Sequence, residues 1–419
     1  MGLSRRGLMA GAIAGAAGAA LAGRARAQAP VVLQFWEGHS LQEETATIRM
    51  IEAFEAAHPD IKINRTKVAF GANFEKITTA AAAGELPDVS PIWGGFLPAF
   101  ADNGVLLDLS KFGFDDLKNK VYAPGWDYVD WKGQVWGVPY AIDPRFLAFN
   151  VEAMHEAGVA SPPATLDAIY DVAKALTKRS GNNVERYGFG FASADDLLLA
   201  YVNLLYAYGG RIFNDDQTQA AFAGPEGVAA GELMKRMIGD GYATTGAAID
   251  GLRRSLLTGR VGMAIDGAWI LYAQSQFPQP TTIDVAPIPR AQAGTRSVNV
   301  SSVGGYVVYA ASKHPAEAAR FVRYMATPDA QQYRVQLLKT GVSPGVVDEA
   351  YAKETFAKWP ALAKVQGFEI DSTLLPVTPR WARIVDSLQP AVEAIGSGAD
   401  VKQALSDAAR SANRSLRRA

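Results

Sequence analysis

The residue types able to do chemistry gather at the ends of predicted strands. Glu37-Gly38-His39-Ser40 directly follows the apolar run Val31–Trp36, and ligands of open α/β sheets sit at strand C-termini. Glu37 offers a carboxylate, His39 an imidazole and Ser40 a hydroxyl, although Ser40 also has the spacing of a helix cap. Trp269 comes just after a strand ending at Ile265-Asp266, which puts its ring at an edge. Arg380-Trp381 follows Pro376 and Pro379 at the start of a late helix. An arginine beside a tryptophan can clamp a pair of hydroxyls, or hold an anionic group with both arms. Gly304-Gly305-Tyr306 lacks two Cβ atoms, so backbone amides can approach a ligand closely, or the glycines serve flexibility alone. Aromatic plates ringed by carboxylates, amides and guanidiniums suit a molecule with flat C–H faces and polar edges, as a sugar has.

Covalent chemistry finds less support. No nucleophile elbow, Walker loop, HExxH or Ser-x-x-Lys is present. The four histidines, His39, His58, His155 and His314, are too scattered to form a metal set. With no cysteine, disulfides, iron–sulfur clusters and thiol catalysis are excluded. No catalytic residue, metal or cofactor is expected. A secreted hydrolase stays open as an alternative, because Glu37, Asp143 and Asp266 could furnish a carboxylate pair. The eight βα units of a barrel that often hosts such chemistry are not seen.

The elements that must position these residues read as alternating strands and helices. Val31–Trp36, Ile61–Asn64 and Pro87–Trp93 are strand-like, with helices between them and Pro59 stopping the first. Phe146–Asn150 and Val303–Ala310 are further strands. Asp167–Thr177, Asp195–Tyr208, Gly227–Ile238, Pro315–Met325 and Val401–Leu416 are further helices. This is the βαβ grammar of a mostly parallel α/β sheet. At 419 residues the chain exceeds the roughly 250–300 that one core supports, so two lobes are expected. No linker separates them, so the chain should cross between lobes more than once. Apolar residues at 49% and charged residues at 20% are ordinary for a globular protein. A net charge of −1 argues against a nucleic-acid partner.

Residues 1–27 read as an export signal that is removed. Arg5-Arg6 precedes the uncharged stretch Gly7–Gly23, and Ala25-Arg26-Ala27 fits small-x-small cleavage. Paired arginines before a weakly apolar core resemble a twin-arginine signal, with a general secretory signal as the alternative. Removal leaves 37 basic against 42 acidic residues, a net charge of −5. No cysteine stands at the cleavage site to carry a lipid, and no membrane anchor is expected, so the periplasm of a Gram-negative cell is the predicted destination.

Six segments then carry a family resemblance. They are Phe54–Ile63, Ala83–Val89, Asn103–Leu109, Gly137–Asp143, Gly259–Trp269, and Gly304–Tyr306 with Ser312–Pro315 and Ala318–Val322. In this order they resemble the family 1 extracellular solute-binding proteins of ABC importers, the carbohydrate-binding group of maltose-binding protein. The resemblance implies two α/β lobes joined by hinge strands, with a ligand cleft between them. It implies one lobe of 28–142 plus 304–343 and another of 143–303 plus 344–419. Crossings are expected near Ala141–Pro144, Ser302–Gly305 and Gly341–Pro344. It also implies that Trp36, Trp93, Trp269 and Trp381 line the cleft, with core packing the alternative for Trp36. His39 and Ser40 match ligand-contacting positions. Asp143 matches an acidic hinge position that binds sugar hydroxyls, and Arg145 departs from the apolar residue common beside it. Together Arg145, Arg380 and His39 hint at a ligand bearing a negative group. The implied function is capture of a sugar or sugar derivative by hinge closure, as a monomer, and delivery to the membrane subunits of an ABC permease. A sugar-binding sensor or adhesin without a transporter is the other alternative.

Overall fold

A computed structural model of the chain describes residues 29–37, 44–68, 73–118, 123–292, 297–338, 353, 354, 357, 360–370 and 373–417. The expected export signal, His39, Ser40 and the expected crossing at Gly341–Pro344 lie outside the described residues.

The strands are β1 (Val31–Glu37), β2 (Ile61–Lys67), β3 (Val89–Trp93), β4 (Asp130–Trp131), β5 (Gln134–Val135), β6 (Val138–Pro144) and β7 (Phe146–Asn150), then β8 (Lys178–Ser180), β9 (Asn183–Ala192), β10 (Ala243–Ala247), β11 (Val261–Asp266), β12 (Ile283–Ala286), β13 (Val300–Val308) and β14 (Thr373–Leu374). In β1 the two-residue alternation puts Leu33, Phe35 and Glu37 inside while Val32 and Gln34 face out. In β6, β7 and β11 every residue is buried, as expected of strands covered on both faces. The helix Glu44–Ala57 buries Met50, Ile51 and Phe54 on one face. The helices Leu166–Leu176, Pro315–Met325 and Val401–Leu416 fall within a residue or two of their predicted spans.

These strands build two six-stranded sheets. The first has the order β14-β13-β3-β1-β2, with β6 also paired to β13. The second has the order β10-β9-β11-β7-β12, with β8 on β9. Both are mixed. β1 is parallel to β2 and β3, and β9 to β10 and β11. The strands next to the crossings run antiparallel: β13 against β3 and β6, and β7 against β11 and β12. One core lies around β1, β3, β6 and β13. Another lies around the helices Asp195–Ala207, Pro225–Gly239, Trp381–Gly396 and Val401–Leu416. Phe96 packs against both.

Arg145 alone separates β6 in the first sheet from β7 in the second. The chain returns between β12 and β13, and passes over again between β14 and the helix Trp381–Gly396. The three passages lie side by side. Arg145 N donates to Val300 O at 3.0 Å, and Leu375 N to Ser301 O at 3.1 Å. Asn203 Oδ1, from the second core, accepts from Val300 N at 3.0 Å. The lobe boundary expected between 303 and 304 thus falls inside β13, and Thr373-Leu374 pair with the first sheet. An apolar run shows that a strand exists but not which sheet it joins. Here that is settled by an antiparallel ladder running from Ser301↔Pro144 to Tyr306↔Val138.

Candidate functional site

The first crossing carries a buried charge cluster. Asp143 stands near the end of β6 and is 5% exposed, and Arg145 is 9% exposed. The Arg145 guanidinium reaches three carboxylates, Asp196 at 3.3 Å, Asp266 at 3.5 Å and Asp143 at 3.6 Å. Asp266 ends β11 and is gripped by both arms of Arg253, each at 2.8 Å. Its Oδ1 also accepts from Gly267 N at 2.7 Å. Asp143 accepts from Ala268 N at 3.2 Å. A Cβ at Gly267 would stand 2.2 Å from Asp143 Oδ1, so only glycine fits between the two strand ends. Asp196 lies in the first turn of the helix Asp195–Ala207, where a carboxylate suits the helix dipole. Ala194 turns the chain into that helix at a φ of 55°, rare for a residue with a Cβ.

Burial pushes the Asp143 and Asp196 carboxyls above the usual aspartate range, against the opposing pull of Arg145. Burial works against the charges of Arg145 and Arg253 too, yet the surrounding carboxylates outweigh it and hold both guanidiniums above their ordinary value. The cluster therefore has three carboxylates against two permanent cations. Its one buried donor without a partner among the described residues is Arg145 Nε. Such a group costs free energy unless something accepts its hydrogen bond.

A second network closes the end of β1. Arg65 donates to Glu37 through Nη1 and to Glu44 Oε1 through Nη2, the latter at 2.7 Å. Lys67 reaches Glu44 Oε2 at 2.7 Å. Glu37 is 1% exposed, and its Oε1 finds no partner among the described residues. Trp36 is half-buried, with the Lys76 ammonium 4.2 Å from its ring centroid.

The aromatic candidates divide. Trp269 opens the helix Trp269–Gln276 just past Asp266, half-buried and edge-on to Tyr272 at 6.2 Å. Its position after Ala268 ties it to the Asp143 cluster. Trp93 ends β3 and meets Tyr140 edge-on at 5.3 Å. Tyr306 is fully buried and stacks on Tyr140 at 4.4 Å, so its ring is part of the first core. A Cβ at Gly304 would lie 2.6 Å from the Tyr140 ring and 2.9 Å from Trp93, and one at Gly305 would lie 2.9 Å from Val129. The space those two glycines leave is taken by side chains. Trp381 is 5% exposed and packs over Gly95, where a Cβ would stand 2.7 Å from the indole. Arg380 donates to Gln217 O at 3.0 Å. The structure thus brings Asp143, Arg145 and Trp269 together. It sets Trp36 and Glu37 at the end of β1, and turns Arg380 toward the loop around Gln217.

Asp196 and Arg253 were not singled out by sequence reasoning. Asp195-Asp196 reads as an acidic first turn, and Arg253 as one of a solvated pair with Arg254. Only tertiary packing unites them with Asp143. Among the described residues no group of His, Cys, Asp or Glu is arranged to hold a metal ion. No helix among them is long and apolar enough to cross a membrane.

Comparison with known proteins agrees with this architecture. The family model described as bacterial extracellular solute-binding protein matches residues 38–332. A putative binding protein of Brucella abortus is 26% identical over 372 residues, covering 88% of this chain and 89% of that protein. An ABC substrate-binding protein from Listeria monocytogenes, solved in complex with cycloalternan, superposes with a TM-score of 0.81 at 21% identity, covering 92% of this chain and 99% of that one. UgpB from Mycobacterium tuberculosis, solved in complex with glycerophosphocholine, superposes with a TM-score of 0.82 at 20% identity, covering 93% and 99%.

Proposed function

Because the chain belongs to the bacterial extracellular solute-binding protein family, we propose that it captures a carbohydrate between its two lobes and hands it to an ABC permease. The observation that carries this reading is the buried cluster at the first crossing. Asp143, Arg145 and Asp266 sit where the chain passes between sheets, with the half-buried indole of Trp269 beside them. Carboxylates and a guanidinium next to an aromatic face are the groups that hold sugar hydroxyls and C–H faces. The Listeria relative bound to cycloalternan supports the ligand class.

The lobes are the two sheets with their helices, and the three side-by-side passages form the hinge. Closure gains ligand contacts that the open form lacks, and that difference shifts the population. Trp36, Trp93 and Trp381 are the further plates, and Glu37, His39, Ser40 and Arg380 the further polar contacts. Gly304, Gly305 and Tyr306 shape the floor through packing. The protein works as a monomer in the periplasm after export, and does no covalent chemistry. A thermal-shift screen of the chain from residue 28 against mono- and oligosaccharides and polyols tests the reading. At a hundredfold excess over its Kd, a true ligand stabilises by about 2.7 kcal/mol. No shift across the panel would refute the carbohydrate assignment.

A further inference from the structure

We propose that the cleft excludes anions: the captured carbohydrate is uncharged, and Asp196 is the residue that enforces this. The inference rests on the carbohydrate reading above and narrows it.

Three observations lead there. First, the cations at the site are already claimed. Arg253 spends both arms on Asp266, and Arg145 is shared among Asp143, Asp196 and Asp266. Arg380, the other candidate for an anionic group, donates to the Gln217 carbonyl. Second, three carboxylates against two guanidiniums leave the cluster one negative charge in excess. Asp195 adds another beside Asp196. A phosphate, sulfonate or carboxylate entering here would meet repulsion in a poorly solvated place, where charges act at a low effective dielectric. Third, the unspent polar atoms are mixed. Arg145 Nε is a buried donor and Glu37 Oε1 a buried acceptor, each without a partner among the described residues. A hydroxyl both donates and accepts, so it can satisfy either. A fully ionised phosphate or sulfonate oxygen only accepts, and would leave Glu37 Oε1 worse off.

Asp196 sets the selectivity because its side chain is the most exposed of the three carboxylates, at 26% against 7% for Asp143 and 3% for Asp266. It is the one nearest to solvent, and therefore the one an incoming ligand meets with least shielding.

The test compares matched pairs by calorimetry: glucose with glucose 6-phosphate, maltose with its 6′-phosphate, and glycerol with glycerol 3-phosphate. Wild type, Asp196→Asn and Asp196→Glu are each titrated, with unfolding midpoints confirming that the variants fold. The expected result is that a neutral member binds at least about tenfold more tightly than its phosphorylated partner, a gap of about 1.4 kcal/mol. Asp196→Asn should narrow that ratio, and Asp196→Glu should keep it. A phosphorylated member binding as well as its neutral partner would overturn the inference while leaving carbohydrate capture intact. An unchanged ratio in Asp196→Asn would overturn the role of Asp196. Failure of every member to bind would refute the carbohydrate reading itself, and this inference with it.

Discussion

Two networks of carboxylates and cations stand at strand ends in this molecule, and they are built differently. At the end of β1, Glu37 and Glu44 meet Arg65 and Lys67, so the formal charges cancel. Apart from Glu37 the members are partly exposed, and the Glu44 contacts are 2.7 Å. At the first crossing, three carboxylates face two guanidiniums, mostly buried. There the Arg145 contacts stretch to 3.3–3.6 Å, and only the Arg253–Asp266 limb is tight. The first network satisfies most of its own demands and needs little else to be stable. The second is over-supplied with negative charge, loosely held around Arg145 and short of one acceptor. A site that keeps charge and a donor in reserve is one that a ligand completes.

The difference can be broken by mutation. Asp266→Ala should have the largest effect. It strands Arg253 in a buried place without its carboxylate, and breaking such a pair costs about 3–5 kcal/mol. Denaturant unfolding would show this as a fall in midpoint. A loss below about 1 kcal/mol would instead place the pair among surface bridges. Lys67→Ala in the balanced network should cost less than about 1 kcal/mol by the same measurement, because its ammonium is 37% exposed.

pH sharpens the contrast, because the two networks respond with opposite sign. Hydrogen bonds from Lys67 and Arg65 hold the Glu44 carboxyl below its ordinary 4.5. Its contribution is present above that value and is lost as the pH falls toward the folded value. Burial raises the Asp196 carboxyl above its ordinary 3.8, so the folded state favours its protonated form. That contribution is present below 3.8 and is lost as the pH rises through the folded value. In unfolding midpoints followed against pH, Glu44→Gln should remove an acid-side loss. Asp196→Asn should remove a loss that grows in the other direction. Two variants moving the profile the same way would erase the distinction between the networks.

Much of the fold was legible in the residues. β7 and the helices Pro315–Met325 and Val401–Leu416 show plain apolar patterns, and their observed spans match the predicted ones. The passage at Pro144-Arg145 was close to the expected crossing. The other boundaries were not legible. β13 is one apolar run whose sheet is chosen by ladder partners far away in sequence, and β14 is two residues long. The site was legible in part. Asp143, Arg145 and Trp269 come together as their strand-end positions suggested. Asp196 and Arg253 lie 53 and 110 residues from Asp143 in the chain, and no local spacing links them to it. Tyr306 and the two glycines before it gave a motif that suits either a ligand or a core. The structure fills the space around them with Tyr140, Trp93 and Val129.

The central claim is that a neutral carbohydrate is held at the crossing through Asp143. Its most direct test is a calorimetric titration of wild type and Asp143→Asn with the neutral sugar that gives the largest thermal shift. A carboxylate accepting sugar hydroxyls makes charge-assisted bonds, worth about 1.5–3 kcal/mol. The account predicts one-to-one binding by wild type and about ten- to hundredfold weaker binding by a folded Asp143→Asn. Equal affinity in the two proteins would contradict it.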